Sequence, residues 1–204
     1  FETWVIADYD DTRARQLTDR VDDPRFSAIT LDASDQDFVA EACRTHAITH
    51  VANLDDPRFV MPIVRGALAA GCNYLDTAMS LSRPHPTDPH NQTGVKLGDE
   101  QFATEQQWQD KGLLALVGMG VEPGLADVLA RYAADHLFDE IDEIGIRDGA
   151  NLEVHGYDFA PTFSIWTTIE ECLNPPVIWE KDKGWFTTEP FSGAEVFDFP
   201  EGIG

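Results

Sequence analysis

Four short apolar runs in this chain each end in residues suited to binding or proton transfer. Thr3-Trp4-Val5-Ile6-Ala7 leads to Asp8, and Thr49-His50-Val51-Ala52 leads to Asn53-Leu54-Asp55-Asp56. Cys72-Asn73-Tyr74-Leu75 leads to Asp76-Thr77-Ala78, and residues 113–117 lead to Gly118-Met119-Gly120-Val121-Glu122-Pro123-Gly124. If the runs are parallel strands, these residues share the carboxyl edge of one sheet, where open α/β sheets bind their ligands. An acid at the position of Asp8 accepts the adenosine ribose hydroxyls in dinucleotide-binding folds, normally about 20 residues past a glycine-rich phosphate turn. No such turn precedes Asp8 here, so it reads either as an ordinary strand-end acid or as the ribose acid of a chain cut short at its front. The later turn is spaced G-x-G-x-x-x-G, Pro123 removes a donor and Glu122 repels a pyrophosphate, so it reads as a loop facing the reacting groups. Asn53 and Asp55 have the alternative of capping the helix that Pro57 opens, and Asp76 that of a strand-end acid satisfied by backbone N–H groups.

The elements that must position these residues alternate. Strands are expected over residues 3–8, 26–31, 49–53 and 72–76, with helices over 12–21, from 34 or 35 to 46, and over 57–70. Residues 79–98, broken by Pro84, Pro86, Pro89, Gly94 and Gly98, read as a long loop. Its His85, Asp88 and His90 lack a helix to align them, so they read as solvated, with no metal site. One helix over 99–111, a strand over 113–117 and an amphipathic helix to His136 follow. Beyond it, strands over 140–148, 176–180, 185–188 and 195–199 and a helix over 167–173 signal an antiparallel sheet. The fold class is therefore α/β: an incomplete Rossmann-type parallel sheet over 1–137, then an α+β domain over 138–204.

Composition bounds the partners. The chain has 37 Asp and Glu against 14 Lys and Arg, a formal charge of −23, so its field repels nucleic acid and acidic membrane surfaces. A hydrophobic content of 43% with five Trp still supports a buried core, and no apolar run approaches the roughly 20 residues of a membrane span. The expectation is a soluble globular protein. Cys43, Cys72 and Cys172 form no C-x-x-C pair, which suggests three buried thiols in a reducing cytoplasm. Trp166, Trp179 and Trp185 are expected to pack the small antiparallel domain, with Trp166 a candidate substrate contact.

Asn73-Tyr74-Leu75-Asp76-Thr77-Ala78 resembles the N-Y-[LV]-D-T-[AS] strand of the saccharopine dehydrogenase-like oxidoreductases. Gly118-x-Gly120-Val121-Glu122-Pro123-Gly124-Leu125-x-Asp127 resembles their G-x-G-x-x-P-G-x-x-[DN] turn. Phe163-Ser164-Ile165-Trp166-Thr167-Thr168-Ile169 with Asn174-Pro175-Pro176 is similar to the substrate-domain segment of the bacterial lysine or saccharopine dehydrogenase-like branch. Glu189-Pro190-Phe191-Ser192-Gly193 and Val196-Phe197-Asp198-Phe199-Pro200 fit the same branch. The resemblance implies hydride transfer between NAD, or NADP, and the CH–NH bond of an amino acid such as saccharopine or lysine. The alternatives are a polyamine-pathway enzyme of the carboxynorspermidine or homospermidine type and a non-catalytic scaffold.

Under that resemblance the roles distribute along the strand ends. Asp8, Asn53, Leu54, Asp55, Thr77, Ala78, Gly118 and Gly120 are expected to bind the cofactor, with Asn53 and Thr77 offering hydrogen bonds and the glycines admitting a flat ring. Asp76 and Glu122 are the candidate proton acceptors, because oxidising an amine to an imine needs a base for the amine proton. Gly124, Trp166 and Thr167 are expected at the substrate. Asp8, with Asp10 and Asp11 beside it, repels a 2′-phosphate and favours NAD, while Arg13 and Arg15 pull the other way. Family members begin with a glycine loop and carry a final segment that packs back on it. The chain is therefore expected not to be a self-sufficient binding unit, and to belong to a larger enzyme or to form a homodimer through residues 140–204.

Overall fold

Local chemistry starts and stops the helices. The computed structural model describes residues 2–149, 154–157 and 164–200. Asp10 caps α1 (Asp11–Val21) by accepting from the Thr12 N–H at 2.8 Å, and Asp22 ends it in the left-handed region at φ 50°. Asp35 caps α2 (Gln36–Thr45) through the N–H groups of Asp37 and Phe38 at 2.9 and 3.1 Å. Gly71, at φ 79°, ends α3 (Val60–Ala70), which follows a 3-10 turn (Pro57–Phe59) capped by Asp56. That last cap settles the local alternative for residues 53–56: Asp56, not Asn53 or Asp55, serves the helix start.

The chain divides into two units, one of residues up to Ser80 with 98–124, the other of 81–97 with residues from 125 onward. The first holds β1 (Trp4–Asp8), β2 (Phe26–Thr30), β3 (His50–Asn53), β4 (Asn73–Asp76) and β5 (Ala115–Leu116). All pairings are parallel: β1 with β2, and β3 with β4 with β5. The register sets Asn53 opposite Asp76, so the polar ends of β3 and β4 lie side by side. The core of this unit is built from α2 and α3 over β4, with Val39, Val60, Val64 and Tyr74 at 2% exposure or less. Gly66 allows that helix contact, since a Cβ there would stand 2.7 Å from Val39 Cβ and 2.8 Å from the Gln36 carbonyl oxygen. Gly66→Ala is expected to destabilise the protein by about 1–3 kcal/mol through overpacking, read as a lower thermal midpoint.

The expected helix over 99–111 is two short ones, α4 (Asp99–Phe102) and α5 (Glu105–Asp110). The Thr104 hydroxyl donates to the Gln101 carbonyl at 2.6 Å and accepts from Trp108 Nε1 at 3.0 Å, capturing an oxygen that a continuing helix would use.

In the second unit, α6 (Leu125–His136) and α7 (Ile165–Leu173) precede an antiparallel hairpin of β6 (Val177–Glu180) and β7 (Gly184–Thr187). The hairpin follows the sequence pattern, including a turn with Asp182 and Gly184 at positive φ. Residues 79–98 are more ordered than a structureless loop. Arg83 and Val95 exchange backbone bonds of 2.8 and 2.9 Å, and the buried Thr187 hydroxyl donates to the Pro89 carbonyl at 2.7 Å. The expected strands over 140–148 and 195–199 are absent among the described residues. Alternation supplied the pattern there, but among the described residues no partner strand supplies the ladder that makes a strand stable. Cys172 is exposed rather than buried, while Cys43 and Cys72 are buried, and burial pushes the Cys43 thiol up to about 12. Trp166, Trp179 and Trp185 are also exposed rather than packed, at 62%, 57% and 54%. Phe163 lies outside the described residues.

Candidate functional site at the strand ends

Tyr74 and Asp76 are two residues apart on β4 and so point to the same face of the sheet. Both are buried, Asp76 at 0% exposure, and the Tyr74 hydroxyl donates to Asp76 Oδ2 at 2.7 Å. The same hydroxyl accepts from Asn53 Nδ2 at 2.9 Å, which carries the network to the end of β3. There Asn53 Oδ1 accepts from the Asp55 N–H at 3.0 Å and shapes the Leu54-Asp55 turn. Gln101 Nε2, from α4, donates to Asp76 Oδ2 at 2.6 Å, while its Oε1 accepts from the Ser80 N–H at 2.6 Å. Asp76 Oδ1 accepts from the Gly118 N–H at 2.6 Å, and the Asp76 carbonyl from the Met119 N–H at 2.9 Å.

One carboxylate thus ties together the ends of β3 and β4, the turn after β5 and α4. Burial raises the Asp76 pKa above its ordinary value, outweighing the hydrogen bonds from Tyr74, Gly118 and Gln101 that favour the ionised form. Burial also pushes the Tyr74 hydroxyl well above the usual phenol range.

The glycines of the 118–124 turn serve the turn itself. Gly118 sits at φ 67°, a Cβ on Gly120 would stand 2.6 Å from the Thr77 carbonyl oxygen, and one on Gly124 would stand 2.3 Å from the Gly120 oxygen. The Gly120 N–H donates to the Pro123 carbonyl at 2.9 Å. With the amides of Gly118, Met119 and Gly120 all engaged inside the protein, the turn does not present them as a phosphate cradle. Thr77 and Glu122 are exposed beside it, Ala78 is half-buried, and Leu54 is 74% exposed at the end of β3. This edge therefore combines the exposed apolar side chains of Leu54, Met119 and Val121 with hydroxyl and carboxylate groups, over a backbone held by hydrogen bonds. The combination fits a flat amide-bearing ring with its ribose.

Asp8 ends β1. Its Oδ1 accepts from the Asp10 N–H at 2.8 Å, and its side chain is half-buried. Neighbouring acids already pair the two arginines beside it: Arg15 Nε lies 2.6 Å from Asp11 Oδ2 and Arg13 Nε lies 3.9 Å from Asp10 Oδ2. Trp166 and Thr167 lie on α7 in the second unit and are described there alone. Sequence reasoning brought Asn53, Asp76 and Gly118 to one edge but missed Tyr74 and Gln101. The two-residue spacing of Tyr74 and Asp76 was a usable signal; Gln101, 25 residues on, had none. Among the described residues no group of three or more His, Cys, Asp or Glu is arranged to hold a metal ion, and no helix is long and apolar enough to cross a membrane.

Comparison with known proteins places the chain in a family. The family described as the saccharopine dehydrogenase NADP binding domain matches residues 1–116. A carboxynorspermidine synthase of Vibrio alginolyticus is 28% identical over 176 residues, 86% of this chain and 41% of that protein. A carboxyaminopropylagmatine dehydrogenase of Synechocystis is 26% identical over 200 residues, 98% of this chain and 48% of its own. The chain thus spans less than half the length of these relatives. A solved structure, apo histidine-tagged saccharopine dehydrogenase (L-Glu forming) from Saccharomyces cerevisiae, is 16% identical with a TM-score of 0.49, covering 66% of this chain and 25% of that one. Because the domain match takes in 116 of 204 residues, the chain belongs to the saccharopine dehydrogenase family through its NADP-binding domain.

Proposed function

We propose that the protein is an NAD(P)-dependent oxidoreductase that acts at a C–N bond of a carboxylated polyamine precursor. The observation that carries this reading is the domain match together with relatives whose names, carboxynorspermidine synthase and carboxyaminopropylagmatine dehydrogenase, denote polyamine-type compounds. They favour the polyamine alternative over lysine or saccharopine. The charge of −23 supports it as well, since such a field draws polycations and raises their encounter rate.

When bound, the nicotinamide supplies or accepts the hydride at the carbon of the C–N bond. The chain's own residues do the rest. Asn53, Thr77 and Ala78, with Leu54 and Asp55, flank the ring and its ribose on a backbone fixed by the Asp76 network. Gly118 and Gly120 shape the floor, Gly124 closes the turn, and Glu122 takes the amine proton in the oxidative direction. Residues 1–137 are proposed to bind the cofactor and 138–204 the substrate, with Trp166 and Thr167 of α7 as substrate contacts.

The decisive experiment offers the full-length protein carboxynorspermidine, carboxyaminopropylagmatine, saccharopine and lysine with either oxidised cofactor and follows reduced-nicotinamide absorbance. Turnover of either carboxylated polyamine supports the proposal. Turnover of lysine or saccharopine alone returns the amino-acid reading, and neither turnover nor calorimetric cofactor binding leaves a non-catalytic scaffold.

Asp8 makes NAD the favoured cofactor within this reading, because its carboxylate suits ribose hydroxyls and repels a 2′-phosphate. Asp8→Ala is expected to shift the NAD to NADP ratio of kcat/KM by about tenfold toward NADP, or about 1.4 kcal/mol. An unchanged ratio removes Asp8 as the selector. The exposed Ile178, Trp179 and Trp185 of the β6–β7 hairpin make it the proposed homodimer contact. Sedimentation velocity is expected to give a dimer that Trp179→Glu dissociates, and a wild-type monomer refutes it. Three free thiols suit a cytoplasmic setting.

A further inference from the structure

We propose that Gln101 and Tyr74 are positioning residues, which hold the Asp76 carboxylate so that it fixes the two backbone segments facing the cofactor. This rests on the dinucleotide-binding reading above; Tyr74 stands in the N-Y-[LV]-D-T-[AS] segment without a role assigned to it there, and Gln101 stands outside every motif.

The geometry points to them through what each bond orients. Gln101 is 4% exposed, and its side-chain amide spans Ser80 and Asp76 with both bonds at 2.6 Å. It therefore sets the distance between α4 and the end of β4. Tyr74, 2% exposed, relays the same carboxylate to Asn53 with bonds of 2.7 and 2.9 Å. Asn53 in turn holds the Asp55 amide at 3.0 Å, and Asp76 holds the Gly118 amide at 2.6 Å. The two loops at the candidate cofactor edge, 53–55 and 118–120, are thus anchored on one carboxylate by directional bonds. Apolar side chains of similar volume would fill this interior at no electrostatic cost. What they would lack is direction: an apolar contact tolerates sliding, whereas these bonds hold a loop amide within a narrow range of angles. A buried polar network of this kind keeps its order only when every member is satisfied, so losing either relay residue loosens both loops.

The test uses the full-length protein with Tyr74→Phe, which removes one oxygen, and Gln101→Met, which keeps length and removes both hydrogen bonds. Val64→Ala, in the same core cluster as Tyr74 but with an apolar side chain that makes none of the network's hydrogen bonds, serves as a stability control. Fluorescence titration with NADH and NADPH gives Kd, and the Gly118 amide resonance reports the turn directly. Both relay variants are expected to weaken cofactor binding by about tenfold, the scale of one misdirected hydrogen bond, and to move the Gly118 resonance. Val64→Ala is expected to lower the thermal midpoint while leaving Kd within about twofold of wild type. Unchanged Kd in both relay variants, or an equal loss in Val64→Ala, overturns the positioning role and leaves the dinucleotide reading intact. A wild type that binds neither NADH nor NADPH overturns both.

Discussion

Asp76→Ala is expected to lower the unfolding free energy by about 3–5 kcal/mol, the scale of removing one partner from a buried charged network. The substitution leaves three donors, the Tyr74 hydroxyl, the Gln101 amide and the Gly118 N–H, facing a space without an acceptor. Urea denaturation of the full-length protein measures the loss, and a value under about 1 kcal/mol would mean that water replaces the carboxylate and that the network holds little. Asp76→Asn probes the same site by pH. Burial raises the folded pKa of Asp76 above its ordinary 3.8, so between those two values the folded state holds a proton that the unfolded chain has released. Its contribution to stability is complete below the ordinary value and is lost as pH rises through the folded one. Asp11, Asp23, Asp32 and Asp88 act with the opposite sign. Hydrogen bonds from Arg15, Arg25, Ser34 and Asn91 hold their carboxyls below the usual range, so stability from them is lost as pH falls, with Asp23 at about 2. The difference in stability between wild type and Asp76→Asn is therefore expected to change as pH rises from about 4, while the acid side stays common to both. Parallel profiles across that window would show that Asp76 does not titrate differently in the folded protein.

The elements up to Asp76 were legible because each signal was local: a capping acid, an apolar run, a glycine at a helix end. Asp10, Asp35 and Gly71 act in the structure as their types suggest. The meeting of Asn53 with Asp76 followed from parallel register alone, since strands that start together after similar crossovers end together. What failed needed tertiary knowledge. Thr104 divides a helix by bonding to Gln101, and that same break puts Gln101 on a four-residue helix whose side chain reaches Asp76. Nothing in the spacing of two residues 25 apart announces such a bond. Residues 140–148 alternate like a strand, yet a strand is a pairing, and the pattern says nothing about whether a partner exists. The reverse error hid the Arg83–Val95 pairing, because Pro84, Pro86 and Pro89 read as loop although the ladder bonds at its base do not need their amides.

Glu122→Gln is expected to reduce kcat by about 10²- to 10⁴-fold, the range of a lost general base, while cofactor Kd stays within about threefold of wild type. The two candidate proton acceptors are Asp76 and Glu122, and the structure separates what they can do. Asp76 is at 0% exposure and already accepts three hydrogen bonds, so a substrate amine has no route to it. Glu122 is exposed on a turn pinned at Gly118 by Asp76 and closed by the Gly120 to Pro123 bond, which fixes the backbone that carries it. A base on a rigid turn can meet the same proton in each cycle, whereas an equivalent carboxylate on a mobile loop would lose much of that advantage. Glutamine keeps the shape and the hydrogen-bonding reach of Glu122 but cannot take a proton, so binding is expected to survive while the chemical step fails. Turnover within about threefold of wild type would remove Glu122 from the proton-transfer role and send the search for the base to the second domain.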